Sequence, residues 1–268
     1  MSEESALQAI SNRVRLGEIK EFTIKLAEEI VGIRCLYNET PRICNQYIVH
    51  NFSPTMFIDV VQKEKGIIID WAHKHGYPLK GLFGSATAVS YNIEDMESLI
   101  IYEKIADEMI NRNKIVLHSA AISVNGNCFL FTAPSGTGKT THILNWLKII
   151  PDCIVVNGDK PLINVDTKTV YGVPWSGKEG LNTNTSGRLA GIIELVRGEE
   201  NHIKPIDFRE MIPVLFQEAY IPMDKELAIK TYKLIDKMKD VPCYRLICNM
   251  ESESAQIAYD VLMGKSHV

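Results

Sequence analysis

A glycine-rich segment near the middle of the chain has the residue types that bind phosphate groups. Ala133–Thr140 reads APSGTGKT and matches the pattern GxxxxGK[ST], except that Ala133 replaces the first glycine. Glycines let successive backbone N–H groups converge on one anion, and a helix beginning near Lys139 adds its positive dipole end. Lys139 suits the β- and γ-phosphates, and the Thr140 hydroxyl suits Mg²⁺. We therefore predict a nucleotide site for ATP with Mg²⁺, formed by Pro134, Ser135, Gly136, Thr137, Gly138, Lys139, Thr140 and Thr141.

A carboxylate follows the next apolar strand of the sequence. Ile154–Asn157 leads into Gly158 and Asp159, and Asp159 lies 20 residues after Lys139. If this strand is adjacent to the strand that enters the glycine-rich segment, Asp159 lies beside the phosphates. It could then hold the metal or accept a proton from an attacking hydroxyl. The alternative is a turn or cap aspartate at the end of a strand.

Two further side chains could act at the same place. His118 follows an apolar run, where a lone histidine is more often a satisfied core or edge residue. However, Asn125-Gly126 predicts a two-residue hairpin turn, which would place His118 opposite Ala133 at the mouth of the loop. A neutral imidazole there could bind metal or phosphate, or carry a proton. Lys178 lies in the polar stretch 174–187, which is either a solvated surface loop or a functional loop in which Lys178 neutralises developing charge.

Several other residues are weaker candidates. His73 and His75 could form a metal pair on a strand, but a solvated surface position is the better interpretation. Glu194 and Arg197 could be a second charged pair near the site, but we favour an ordinary surface pair. None of the six cysteines forms a CxxC motif, so we expect buried free thiols.

The elements expected to position these residues divide the chain into three parts. Residues 1–92 contain strand-like segments at 22–26, 46–50 and 56–61 and predict a β-rich N-terminal module. Apolar residues at helical spacing predict a bridging helix over 93–113. Residues 114–268 predict the core, with strands at 114–124, 128–132, 153–157, 162–165, 170–173 and 244–248, and helices at 139–149, 207–220, 225–239 and 252–263.

The composition excludes several classes of protein. With 268 residues, 46% of them hydrophobic, and a net charge of −4, the chain is typical of a soluble globular protein without a basic face for nucleic acid. Its longest apolar runs fall short of the roughly 20 residues that a membrane helix needs, and its acidic start is unlike a signal peptide. We therefore predict a cytoplasmic protein with no nucleic-acid or membrane partner, and a homo-oligomer is compatible with the sequence.

Three segments, taken in order, resemble the superfamily of HPr kinase/phosphorylase and phosphoenolpyruvate carboxykinase. They are His118-Ser119-Ala120, Ser135–Thr141 and Gly158-Asp159. The resemblance covers about residues 114–195 and implies an α/β fold with a mixed sheet around an atypical P-loop. The chain length and the segment 172–177 are more similar to small bacterial HPr-kinase-like proteins, some of which modify a serine of a ribosomally made peptide.

The resemblance also implies roles for individual residues. Lys139 and Thr140 match the family's phosphate and metal residues, and His118 matches its active-site histidine. Asp159 matches one carboxylate of the family's Asp-Asp pair, while Gly158 stands where the other carboxylate would be. It therefore stays open whether Asp159 is the base, the metal ligand or both.

These observations predict an ATP-dependent kinase that transfers a phosphoryl group to a hydroxyl. The acceptor is a serine of a protein or peptide, or a small metabolite. The expected catalytic residues are Asp159, His118, Lys139 and Lys178, and the expected metal ligands are Thr140 and Asp159. One alternative is a carboxykinase-like enzyme acting on a small carboxylic acid. Another is a non-catalytic nucleotide-sensing regulator, which the missing carboxylate at Gly158 favours. Because a phosphate loop contacts phosphates and not the base, ATP and GTP are not distinguished.

Overall fold

The computed structural model describes residues 17–61 and 93–265. The chain divides into two compact units, residues 1–105 and 106–268. His73 and His75 lie outside the described residues. In the ranges that are described, no helix combines the length and the apolar character needed to cross a membrane.

The first unit contains a three-stranded sheet. Its strands, in the order in which they pair, are β1 (Lys20–Leu26), β2 (Glu29–Cys35) and β3 (Met56–Asp59). β1 and β2 are antiparallel, whereas β2 and β3 are parallel. A short helix, α1 (Glu39–Ile43), and a 3₁₀ turn (Asn45–Tyr47) lie between β2 and β3. The sheet agrees with the predicted β-rich module.

The prediction of a strand over residues 46–50 is wrong. The Tyr47 and Ile48 amides donate to the carbonyls of Cys44 and Asn45, three residues earlier in each case. Those local hydrogen bonds occupy the donors that a strand would use to pair. Only Ile48 makes a bridge, an isolated one to Ile24. The long helix that follows, α2 (Ile93–Ile110), ends three residues before its predicted limit.

The second unit is built on a mixed nine-stranded sheet. The strands are β4 (Lys114–Val116), β5 (Ser119–Val124), β6 (Asn127–Thr132), β7 (Ile154–Asn157), β8 (Leu162–Asn164), β9 (Thr169–Tyr171), β10 (Ser186–Arg197), β11 (His202–Ile206) and β12 (Cys243–Cys248). The helices are α3 (Lys139–Ile149), α4 (Phe208–Glu218), α5 (Lys225–Asp236) and α6 (Glu253–Leu262). The main path of the sheet runs β4-β8-β9-β10-β6-β5-β7, and β12 joins β10 to β11.

Helices cover both faces of this sheet, and the side-chain alternation of β6 explains why. Cys128 and Leu130 pack into one apolar cluster with residues of α4 and α5. Phe129 and Phe131 point the other way, into a cluster with residues of α3 and α6. Since successive side chains of a strand face opposite sides, an almost wholly apolar strand must be buried on both.

The strand β10, which was not predicted, organises the sheet. It has 12 residues, and on one edge Arg188–Glu194 pair with β6 in parallel. On its other edge the first residues pair with β9, and Ile192–Arg197 pair with β12. The end of β10 therefore lies beside the end of β6, where the glycine-rich segment begins.

Candidate functional site

The glycine-rich segment connects β6 to α3, and α3 spans the predicted residues 139–149. Gly138, at φ 118°, begins the helix, and no described side chain caps this end. The first N–H groups of a helix have no partner within it, so this end can bind an anion. Lys139 is buried, and its Nζ donates to the Ala133 carbonyl at 2.6 Å.

His118 lies at a break between two strands. The single strand predicted over 114–124 is wrong: Lys114–Val116 pairs with β8, whereas the run from Ser119 pairs with β6 and β7. The predicted two-residue hairpin turn is confirmed, and its register pairs Ser119 with Thr132. His118 is one residue before Ser119 and therefore lies opposite the start of the glycine-rich loop. The Thr132 hydroxyl donates to the His118 carbonyl at 3.3 Å.

Two carboxylates flank the His118 ring. Its Nδ1 lies 2.6 Å from Glu218 Oε2 and its Nε2 lies 3.3 Å from Asp159 Oδ1. Because a carboxylate can only accept, Nδ1 donates to Glu218. The backbone adds further ties: the His118 amide donates to the Glu218 carbonyl and the Ser119 amide donates to the Asp159 carbonyl. The end of α4, the break at His118 and the turn after β7 are thus joined at one point.

Asp159 reaches this point by a route that differs from the predicted one. The strand before it, β7, is not adjacent to β6, because β5 lies between them. Asn157, fully buried, holds the turn that follows: its Oδ1 accepts from the amides of Asp159 and Lys160. The Asn157 side-chain amide also donates to the carbonyls of Val173 and Trp175. One asparagine therefore orients both Asp159 and the loop that carries Lys178.

The charges around Asp159 keep it ionised. Burial by itself would raise the pKa of Asp159, but the His118 hydrogen bond and the positive charges of Lys160 and Lys139 hold it below its ordinary value. Burial lowers the pKa of Lys139, and the carboxylates of Glu218 and Asp159 partly offset that effect. The site therefore pairs a stable carboxylate with a partly desolvated lysine.

A cleft of about 480 Å³ brings most of the predicted residues together. Its lining includes His118, Ser135, Gly136, Gly138, Lys139, Thr140, Thr141, Asp159 and Lys178. Pro134 and Thr137 are instead found in an adjoining cavity, which shares Ser135 and Gly136 with the cleft. Lys178 is exposed, on a loop whose preceding residues Pro174–Ser176 are buried. Gly177 permits the approach of this loop, since a Cβ there would lie 3.1 Å from that of Asp159.

The residues at the site that were not predicted as part of it include Glu218, Asn157, Arg197 and Met250. Glu218 had a signal in the sequence, because it follows the buried Met211 and Leu215 at helical spacing on one face of α4. Glu194 and Arg197 do not form the pair that was expected. Glu194 pairs with Arg245 at 2.7 Å, and Arg197 lines the cleft.

The oxygen donors of the cleft fit a magnesium ion. Among the described residues, no group of three or more His, Cys, Asp and Glu side chains is arranged as a metal centre. Mg²⁺ is commonly held by one or two carboxylates together with substrate phosphates, so it needs no such group. The Thr140 hydroxyl and the Asp159 carboxylate line the same cleft and are of the right type.

Comparison with known proteins leaves the family of the chain undetermined. No protein-family model matches it, and no curated protein matches it.

Proposed function

We propose that this protein is an ATP-dependent phosphotransferase that phosphorylates a hydroxyl group, that of a serine in a protein or peptide. The observation that carries the proposal is the convergence of the uncapped start of α3, with Lys139, on the His118–Asp159 pair in one cleft. An anion-binding helix end and an ionised carboxylate at one site are two of the parts that phosphoryl transfer to a hydroxyl uses.

Each side chain has a proposed role. The acceptor oxygen bonds to the γ-phosphorus while the bond from that phosphorus to the bridging oxygen breaks, and Asp159 takes the hydroxyl proton. His118 orients Asp159, and Glu218 orients His118. Lys139 and Lys178 stabilise charge on the transferring group. Thr140 and Asp159 would hold Mg²⁺, which neutralises phosphate charge when bound. Because Asp159 has a low pKa, alignment and charge stabilisation would supply most of the acceleration.

Glu218 bears on the alternative of a non-catalytic regulator. That alternative drew on the glycine at position 158, where the resembling family has a second carboxylate. In this chain, a buried glutamate from α4 contacts the histidine from its other side. The site therefore holds two carboxylates although the Asp-Asp pair is absent, which favours catalysis over nucleotide sensing.

The exposure of the reacting groups favours an acceptor on a larger molecule. The side chain of His118 is 31% exposed and that of Asp159 is 24% exposed. The loop residues Gly177–Gly180 beside Asp159 are exposed as well. A side chain projecting from a peptide or protein surface can reach such a carboxylate, so a serine acceptor is preferred to a small metabolite.

The test begins with titration of ATP and Mg²⁺ into the wild type, Lys139→Ala and Lys148→Ala. Lys148 is exposed on the same helix and provides the matched control. We expect Lys139→Ala to weaken ATP binding by at least about tenfold, since it removes a buried charge from the phosphate site, and Lys148→Ala to bind as the wild type does. ATP binding that does not depend on Lys139 would refute the nucleotide site.

Catalysis is tested by incubating the wild type and Asp159→Asn with γ-labelled ATP and a soluble extract. Label that reaches a peptide, protein or metabolite only with the wild type would support the kinase and identify its acceptor class. Lys139-dependent binding without any transfer would replace the kinase by the regulator.

A further inference from the structure

The guanidinium of Arg197 is bound to the glycine-rich segment. Its Nε donates to the Thr137 carbonyl at 3.1 Å, and one Nη donates to the Gly136 carbonyl. Both acceptors belong to the turn that precedes α3. A planar guanidinium that bonds to two consecutive carbonyls sets their orientation as well as their position.

The sheet explains why Arg197 reaches this turn. β10 runs parallel to β6, with Glu194 opposite Thr132, the last residue of β6. Arg197 is three residues further on and therefore lies level with the chain just after β6. On the other edge of β10, the adjacent strand β12 pairs with Ile192–Arg197, with Arg197 opposite Cys248. The backbone that carries the guanidinium is thus held by its pairing with β12, just beyond the last residue of β10 that pairs with β6.

The charge of Arg197 is not neutralised by its contacts. Glu194 pairs with Arg245, and within the described ranges Arg197 has no carboxylate partner. The carbonyls that it binds are uncharged. Arg197 also lines both the cleft and the adjoining cavity. A full positive charge therefore remains beside the segment to which the phosphates are assigned.

We propose that Arg197 is a positioning residue for the phosphate-binding loop. The Thr137 N–H donates to the Pro134 carbonyl. By holding the carbonyls of Gly136 and Thr137 on its own side, Arg197 sets the orientation of the turn and keeps the Gly138 N–H, which shares a peptide group with the Thr137 carbonyl, available to the anion. Its unpaired charge adds to the attraction of the loop for a polyphosphate. This proposal rests on the proposed function, because it assigns Arg197 to the same nucleotide site.

The experiment measures binding of ATP and of inorganic tripolyphosphate to the wild type, Arg197→Ala, Arg197→Lys and Arg209→Ala. Arg209 is exposed on α4 and controls for loss of one surface charge. Since Arg197 acts on the loop and not on the nucleoside, Arg197→Ala should weaken both ligands equally, by about 10- to 100-fold. Arg197→Lys keeps the charge but cannot span two carbonyls, so its loss should be intermediate.

Thermal unfolding without ligand separates this role from a purely structural one. We expect Arg197→Ala and Arg197→Lys to melt within a few degrees of the wild type while differing in affinity. Affinities within about twofold of the wild type in Arg197→Ala would overturn the proposal, and so would a loss that parallels a large fall in melting temperature in both variants. A wild type whose binding does not depend on Lys139 would instead refute the proposed function.

Discussion

We predict that a buried histidine behind the glycine-rich segment gives this protein a specific sensitivity to acid. His142 lies in α3, one turn after Gly138, and is 4% exposed. Its Nε2 accepts from Trp146 Nε1 at 3.0 Å, and its Nδ1 lies 3.4 Å from the Ser254 hydroxyl. The Phe131 ring contacts its edge. Because Nε2 accepts, the imidazole is neutral in this environment, and burial lowers its pKa from 6.5 to about 4.

The size of the effect follows from these two pKa values. Below pH 6.5 the unfolded chain takes up a proton on His142 that the folded chain does not bind until about pH 4. The stability that this histidine contributes is therefore complete above pH 6.5 and is lost as the pH falls toward 4. The whole difference is worth about 3 kcal/mol, at about 1.4 kcal/mol per pKa unit. By pH 5, about 2 kcal/mol of it should already be lost.

The assay is urea unfolding of the wild type, His142→Gln and His202→Gln at pH 7.5, 6 and 5. Glutamine can accept from Trp146 but does not titrate. Between pH 7.5 and 5 the wild type should lose about 2 kcal/mol more unfolding free energy than His142→Gln. His202 is exposed, so His202→Gln should follow the wild type. An equal loss in the wild type and His142→Gln, within about 0.5 kcal/mol, would refute the argument.

Two further predictions concern the site itself. Glu218→Gln removes the negative charge that accepts a hydrogen bond from His118 Nδ1 at 2.6 Å. Its turnover should fall about 10- to 100-fold with little change in ATP affinity. Glu200 is exposed, so the control Glu200→Gln should keep the turnover of the wild type. Steady-state kinetics measure both variants, and turnover of Glu218→Gln within about twofold of the wild type would contradict the role of Glu218. Gly138→Ala puts a side chain at φ 118° and should lower ATP affinity at least about tenfold. Gly180→Ala, strained at φ 63° on the exposed loop, should bind ATP normally in the same titration.

Much of the local structure could be predicted from the sequence, because short-range physics determines it. The apolar run before Ala133 and the glycines after it predicted a strand, a loop and a helix over 139–149, which is the span observed. Asn125 and Gly126 favour positive φ, and both adopt it, at 51° and 78°. The cysteines are free thiols, as expected, and four of them are buried, whereas Cys153 and Cys248 are half-buried. A mixed sheet and a smaller N-terminal sheet were also expected and are found.

The order of the strands depended on tertiary structure. The strand before Asp159 was expected to be adjacent to β6, but β5 lies between them. Hydrophobic periodicity indicates that a strand is buried, but it does not indicate which neighbouring strand it pairs with. The break at His118 has the same origin, since one apolar run supplies strands to two different parts of the sheet.

The sequence by itself predicts where a phosphate group would bind, because the glycines, the lysine and the helix start are neighbours along the chain. Only the tertiary structure decided which side chains meet that position from a distance. Glu218 lies 100 residues from His118 and Arg197 lies 61 residues from Gly136, so no spacing rule connects them. Their contacts arise because α4 packs at the break before β5 and β10 pairs with β6, and both follow from burying the two faces of one sheet.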